Sequence, residues 1–196
     1  MNLPFSQACE NNKRAILAVL RSCFVDRDSV LEIGSGTGQH AVYFSENLKH
    51  IQWQPTDREE YLEGLIGRIE QEGPSNLLQP LKLDVNDIWP VTATSAIFSA
   101  NTVHIMSWQE VEKLFTSLQS VLKPQGIFCL YGPFNYNNNY SSDSNRTFDQ
   151  WLKTRDPDSG IRNFEAIDRL AKEAGLYLLN DHVMPANNQL LVWKKR

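Results

Sequence analysis

Cysteine is scarce: Cys9, Cys23 and Cys129 are the whole complement, odd in number and without a C-x-x-C pair. That spacing supports no disulfide framework and suits reduced, mostly packing thiols in a cytosolic protein. The four histidines are scattered too, and with the cysteines they show no metal-ligand spacing, so no metal site is expected. No apolar run approaches a membrane span. The first fourteen residues are polar and include Glu10, Asn11 and Asn12, which does not suit a signal peptide. A basic excess is lacking as well. Nineteen Lys and Arg against 23 Asp and Glu give a formal net charge of −4, which removes a global attraction to nucleic acid. Internal repeats and linker composition are absent. The expectation is a soluble cytoplasmic chain that engages neither membrane nor nucleic acid.

What is present is a chain of 196 residues, 41% hydrophobic and 21% charged, which fits one globular domain with a substantial core. Its densest local signal is Val30-Leu31-Glu32-Ile33-Gly34-Ser35-Gly36-Thr37-Gly38-Gln39-His40. An aliphatic strand breaks into three alternating glycines, and a helix over 39–47 follows. Strand, glycine turn and helix bring backbone N–H groups close to a nucleotide-like ligand.

Around this unit, apolar spacing predicts alternating helices and strands. Ile16, Leu17, Leu20 and Phe24 make one stripe of a first helix, with Asn11 or Asn12 as its cap. Strands are expected at 29–33, 51–56, 77–83, 95–100 and 127–131, with Pro80 pushing the third towards an edge. Helices are expected at 58–72, from Ser107 to Leu122 behind a capping box, at 146–153, and from Asn163 to Gly175. The stretch 132–145 is rich in Asn, Ser and Tyr, lacks periodicity, and reads as a long loop of the kind that serves as a lid. Runs at 177–183 and 189–194 suit a closing hairpin. The fold expected is Rossmann-like α/β: a doubly wound, mostly parallel seven-stranded sheet with an antiparallel C-terminal edge and helices on both faces. The whole chain forms one domain, with 1–28 as an N-terminal helix and cover and 132–162 as an inserted loop and helix over the active site.

Two ligand classes compete for the glycine loop. A nicotinamide dinucleotide would want G-x-G-x-x-G, but Gln39 stands where the third glycine belongs. The chain reads Glu32-x-Gly34-x-Gly36-x-Gly38 instead, which resembles the first motif of class I S-adenosylmethionine-dependent methyltransferases. Asp57, 57 − 38 = 19 residues past Gly38, ends the second strand, where a carboxylate can accept bonds from a vicinal ribose diol. Dinucleotide enzymes use an acid similarly. Asp84-Val85 resembles the position that reads adenine, and Asn101-Thr102-Val103-His104 the motif bordering the transferred methyl. The cofactor-binding set implied is Glu32, Gly34, Ser35, Gly36, Gly38, His40, Asp57, Arg58, Asp84, Val85, Asn101, Thr102 and Val103, for S-adenosyl-L-methionine. Plainer roles compete: Glu32 capping its own loop, Asp57 or Asp84 capping helices, His40 packing, His104 structural.

A narrower resemblance runs through Ser6 to Lys13, Val30 to Val42, Trp53 to Asp57, Leu83 to Val85, Tyr131 to Phe134, Phe148-Asp149, Arg155 to Pro157, Gly160 to Arg162 and Met184 to Asn188. These stretches are similar to the family called domain of unknown function 938, or methyltransferase-like protein twenty-six. Two departures are Asn11, where the family usually carries arginine, and Asp158-Ser159, where an aromatic usually precedes the glycine. The resemblance implies cofactor binding and methyl transfer without naming an acceptor. An in-line displacement needs alignment and dryness first, and a base only where the nucleophile sheds a proton. His104 and Tyr131 are the catalytic candidates. Asn12, Lys13, His104, Tyr131, Asn135, Arg155 and Arg162 are candidate walls for a small-molecule methyl acceptor, the three basic residues favouring an anionic one. Ion pairs to Asp156 or Asp158 would explain the arginines equally well. Two alternatives stand beside this expectation: a catalytically silent S-adenosylmethionine or S-adenosylhomocysteine binder acting through a partner, and an NAD-dependent oxidoreductase, which Gln39 disfavours.

Overall fold

The computed structural model describes residues 3–196. In chain order the elements are α1 (Gln7–Cys23), β1 (Ser29–Ile33), α2 (Gln39–Asn47), β2 (Gln52–Asp57), α3 (Glu59–Glu72), β3 (Leu81–Lys82), β4 (Thr94–Ala100) and α4 (Trp108–Val121). Then come β5 (Leu122–Gly132), β6 (Phe134–Asn135), α5 (Asp143–Arg155), β7 (Arg162–Asn163), α6 (Phe164–Glu173), β8 (Leu176–Met184) and β9 (Asn188–Lys195), with a short 3₁₀ turn at Pro185–Asn187. Seven strands form the main sheet in the order β3-β2-β1-β4-β5-β9-β8. The pairs from β3 to β5 are parallel, and β9 joins β5 and β8 antiparallel. This is the doubly wound α/β sheet with an antiparallel edge that the alternation predicts.

The sheet is buried on both faces because its central strands alternate apolar residues between two cores. Val30, Trp53, Phe98 and Cys129 pack against Ile16 and Leu20 of α1, Phe44 of α2 and Leu65 of α3. Leu31, Ile33, Phe128, Leu130 and Trp193 pack against Leu114 and Phe115 of α4 and Ile167 and Leu170 of α6. The carboxyl ends of β1, β2 and β4 therefore meet at one rim with helices behind it.

Several boundaries differ from expectation. The first helix begins at Gln7, capped by Ser6 Oγ, which accepts from the Cys9 N–H. Asn12 lies inside it and is buried. The third strand shrinks to Leu81–Lys82, with Leu77 making an isolated bridge to Trp53; Pro80 sits just before the ladder, and β3 is an edge strand. The stretch 132–145 is far more ordered than a loop. It holds β6, which pairs with β7, then a turn closed between Tyr136 and Asn139, and the start of α5, capped by Ser142. Local hydrogen bonding by Asn and Ser fixes this segment without any apolar period. Asn163 stands at the N-cap of α6 without a capping side-chain bond, and Gly175 turns the chain out at φ +81°.

Candidate active site

The glycine loop leaves β1 pinned to β2. The N–H groups of Gly34 and Ser35 both donate to the Thr56 carbonyl, and the Thr56 N–H donates to Ser35 Oγ. Gly34 sits at φ +73°, and a Cβ there would lie 2.6 Å from Thr102 Cγ2, so this crossing of β1 and the β4 end admits no side chain. Gly36, at φ +54°, faces open space. Its N–H donates to Asp57 Oδ2 at 2.6 Å, while Asp57 Oδ1 accepts from the Arg58 N–H at 2.8 Å. Asp57 is thus a brace of the loop and not the cap of α3, whose N-cap is Arg58 without a side-chain bond. A carboxylate has about four acceptor sites, so two remain for a ligand. Burial raises its pKa against the pull of these two donors.

A narrow hollow of about 110 Å³ opens at the strand ends, lined by Gly34, Asp57, Arg58, Asp84, Val85 and Thr102 of the predicted set. Ile33, Tyr61, Leu83, Ile105, Met106 and Glu110 complete its walls. The pattern did not single out Tyr61 and Glu110. Tyr61 stands in the first turn of α3, directly after the Asp57 strand end, and Glu110 is the third helical residue of the capping box on Ser107. Asp84 folds an Asx turn, accepting from the Asn86 N–H. Arg58 pairs with Glu60, so the carboxylates of Asp57, Asp84 and Glu110 outweigh the cation.

A larger hollow of about 600 Å³ lies between α1, α2 and α3, with Lys13 in its wall. There Lys13 bonds Glu10 and sits over the Tyr43 ring, and Arg68 bonds Glu72, so both of its cations are already paired. The smaller hollow gathers more of the predicted cofactor-binding residues.

The remaining predicted residues divide between the two sheet faces. Glu32 is buried on the α1 side, its Oε2 accepting from the Trp53 indole, and burial pushes its carboxyl up to about 7. His40 Nε2 lies 2.6 Å from Asn12 Oδ1 and its ring stacks on Phe44; burial holds its pKa down at about 4. Tyr131 is on that face too, its phenol within reach of Asn12 and its pKa raised by burial. Gly38 is the left-handed N-cap of α2.

The opposite face carries His104. A Cβ on Gly132 would lie 3.7 Å from His104 Nδ1 and 4.0 Å from Asn101 Oδ1, so these three border one gap at the ends of β4 and β5. Asn101 adopts φ +59° and its N–H donates to the Tyr131 carbonyl. His104 is buried, its Nδ1 has no partner, and burial with the nearby Arg162 charge holds its pKa at about 4. Arg162 is spent on backbone: Nε donates to the Val103 carbonyl, and Nη2 to those of Met106 and Asp158. Arg155 is exposed over the Trp151 ring. Asn135 is buried with Oδ1 unpartnered. The structure therefore places Lys13, Arg155 and Arg162 in three separate settings.

A profile of the family described as Protein of unknown function (DUF938) matches residues 3–195. The chain belongs to that family. Its fold is that of known methyltransferases, at low identity. An O-methyltransferase family 2 protein from Planctomyces limnophilus, solved in complex with apigenin, superimposes with a TM-score of 0.84 at 16% identity, over 96% of this chain and 58% of the other. An O-methyltransferase family protein from Burkholderia thailandensis gives 0.82 at 12% identity, over 93% and 56%. The S-adenosylmethionine-dependent methyltransferase SibL in its apo form gives 0.80 at 17% identity, over 96% and 55%. The DUF938 chain spans just over half the length of these proteins. Among its described residues no helix is long and apolar enough to cross a membrane.

Proposed function

We propose that the protein is a methyltransferase that consumes S-adenosylmethionine and methylates a hydroxyl of a small molecule. The charge of the strand-end hollow carries this reading. Asp57, Asp84 and Glu110 face it, and its cation, Arg58, is paired with Glu60. Two phosphates of a dinucleotide would be repelled by carboxylates there without a free cation, whereas a neutral adenosine joined to a cationic sulfonium would not be. Asp57 suits the ribose hydroxyls, Asp84 the exocyclic amine, and Leu83, Val85, Ile105 and Met106 the flat faces of the base. Calorimetry with S-adenosylmethionine, S-adenosylhomocysteine and NAD tests it: the first two bind and NAD does not, and the reverse order would overturn the assignment.

The hydroxyl acceptor is supported by the neighbours named as O-methyltransferases and by His104, a neutral imidazole at the methyl-bordering position. Bound there, S-adenosylmethionine would supply its sulfonium methyl to the acceptor oxygen, and His104 Nδ1 would take the hydroxyl proton and release it to water. An oxygen that has gained a methyl is strongly acidic, so a base held at about 4 still accepts its proton. The rival of a silent binder working through an exposed apolar face finds little support. None of the exposed large apolar side chains among the described residues falls within 132–145.

A further inference from the structure

Among the buried polar atoms without partners, His104 Nδ1 lies near Gly132 at the end of β5, Gln189 Oε1 belongs to the residue opposite Gly132 in the ladder, and Asn135 Oδ1 and Asn163 Oδ1 belong to the paired strands β6 and β7. Gln189 is not part of any motif, and its place follows from register. Gly132 of β5 pairs with Gln189 of β9 in the antiparallel ladder. Directly opposed residues there project from the same face with Cβ positions about 5 Å apart. The side-chain position of Gly132 faces His104 Nδ1 and Asn101 Oδ1, so Gln189 stands on that side of the sheet as well. Helix α5 covers both. Asn145 in its first turn donates to the Asn187 carbonyl, two residues before Gln189, and Phe148, one turn on, packs edge-on against His104. Asn135 follows Gly132 by three residues.

Buried amide oxygens without donors are costly unless something supplies an N–H or O–H. Arg162 has its Nε and Nη2 committed to three carbonyls, and a carboxylate entering here would set its oxygens against the unpaired amide oxygens of Asn135 and Gln189. We infer that Gln189, with Asn135, forms a donor-reading subsite beside His104, selecting neutral acceptors that carry a second hydroxyl near the one methylated. This rests on the methyltransferase reading above and replaces the anionic acceptor suggested by the basic residues.

The test separates the two claims. Titration of S-adenosylhomocysteine into the protein checks cofactor binding alone, and its failure would count against the parent reading. Catechol, resorcinol, phenol and benzoate are then titrated into protein saturated with S-adenosylhomocysteine. At least one dihydroxy probe binds about tenfold or more tighter than phenol, and benzoate binds weakest, as one further hydrogen bond to an otherwise unpaired group implies. Gln189→Leu retains S-adenosylhomocysteine and brings the dihydroxy probes to within roughly twofold of phenol, the preference lost with that bond. Gly132→Ala melts as a folded protein, since its methyl meets only ordinary contacts, and weakens every hydroxyl probe. Equal binding of phenol and both dihydroxy probes, or a preference that survives Gln189→Leu, overturns the inference and leaves Gln189 Oε1 to an ordered water.

Discussion

Asp57 braces a loop and borders the hollow proposed to hold the cofactor. Its carboxylate accepts from the N–H groups of Gly36 and Arg58, and the same oxygens border the strand-end hollow. Charge-assisted bonds of this kind are worth about 1.5–3 kcal/mol each, and a ribose hydroxyl on the same carboxylate adds one more. Asp57→Ala is therefore expected to weaken S-adenosylhomocysteine binding by roughly ten- to a hundredfold, measured by calorimetry, while a thermal melt still shows a folded protein. Unchanged affinity would confine Asp57 to bracing Gly36. The place of Asp57 was legible in the sequence because its offset from the glycines is set by one helix and one strand. Its bond to Gly36 was not, since both strand-end carboxylates also fitted a capping role. Gln189 was illegible for a different reason. Its partner Gly132 lies 57 residues away, 189 − 132, and only the ladder brings them together.

Elements with an apolar period were readable, and those held by local polar bonds were not. α1, α4 and α6 bury clear stripes, and the capping box at Ser107 marks the start of α4. α5 hides its start among Asn and Ser because Ser142 and Asn145 fold that turn through their own side chains. Two-residue strands such as β6 and β7 carry no period at all. The segment before α1 is held to α3 through a buried residue. Arg68 Nε donates to the Thr37 carbonyl of the glycine loop, Nη2 to the Pro4 carbonyl, and Nη1 to Glu72. Gln39, in the place of a third dinucleotide glycine, adds two bonds, accepting from the Ser6 N–H and donating to Glu10. Arg68→Ala is expected to cost about 3 kcal/mol, since it orphans carbonyls near a buried position. It should also speed proteolytic cutting before residue 10, followed by mass spectrometry. Cutting at the wild-type rate would show that Gln39 holds the segment alone.

Across the whole molecule the two sheet faces bury titratable groups whose effects on stability oppose one another. Glu32 sits on the α1 face at about 7, well above the roughly 4.3 of an unfolded glutamate. The folded protein keeps a proton that the unfolded chain releases, so this contribution is full in acid and is lost as pH rises from about 4.3 towards 7. His40 on the same face and His104 on the other stand at about 4, below the roughly 6.5 of an unfolded histidine. Their contribution is full above about 6.5 and is lost as pH falls towards 4. Two histidines outweigh one glutamate below about 6.5, and of these three groups only Glu32 acts from there to 7, so their summed contribution peaks near pH 6.5. Glu32→Gln removes the titration and keeps an oxygen for the Trp53 indole. Denaturant unfolding at pH 5 and pH 8 is the measurement. Relative to wild type, the variant should gain on the order of 3 kcal/mol between those values, because a shift from about 4.3 to 7 is worth that much in a buried group. A gap that stays constant with pH would mean Glu32 is already ionised in the fold, and the falling limb would then have to arise elsewhere.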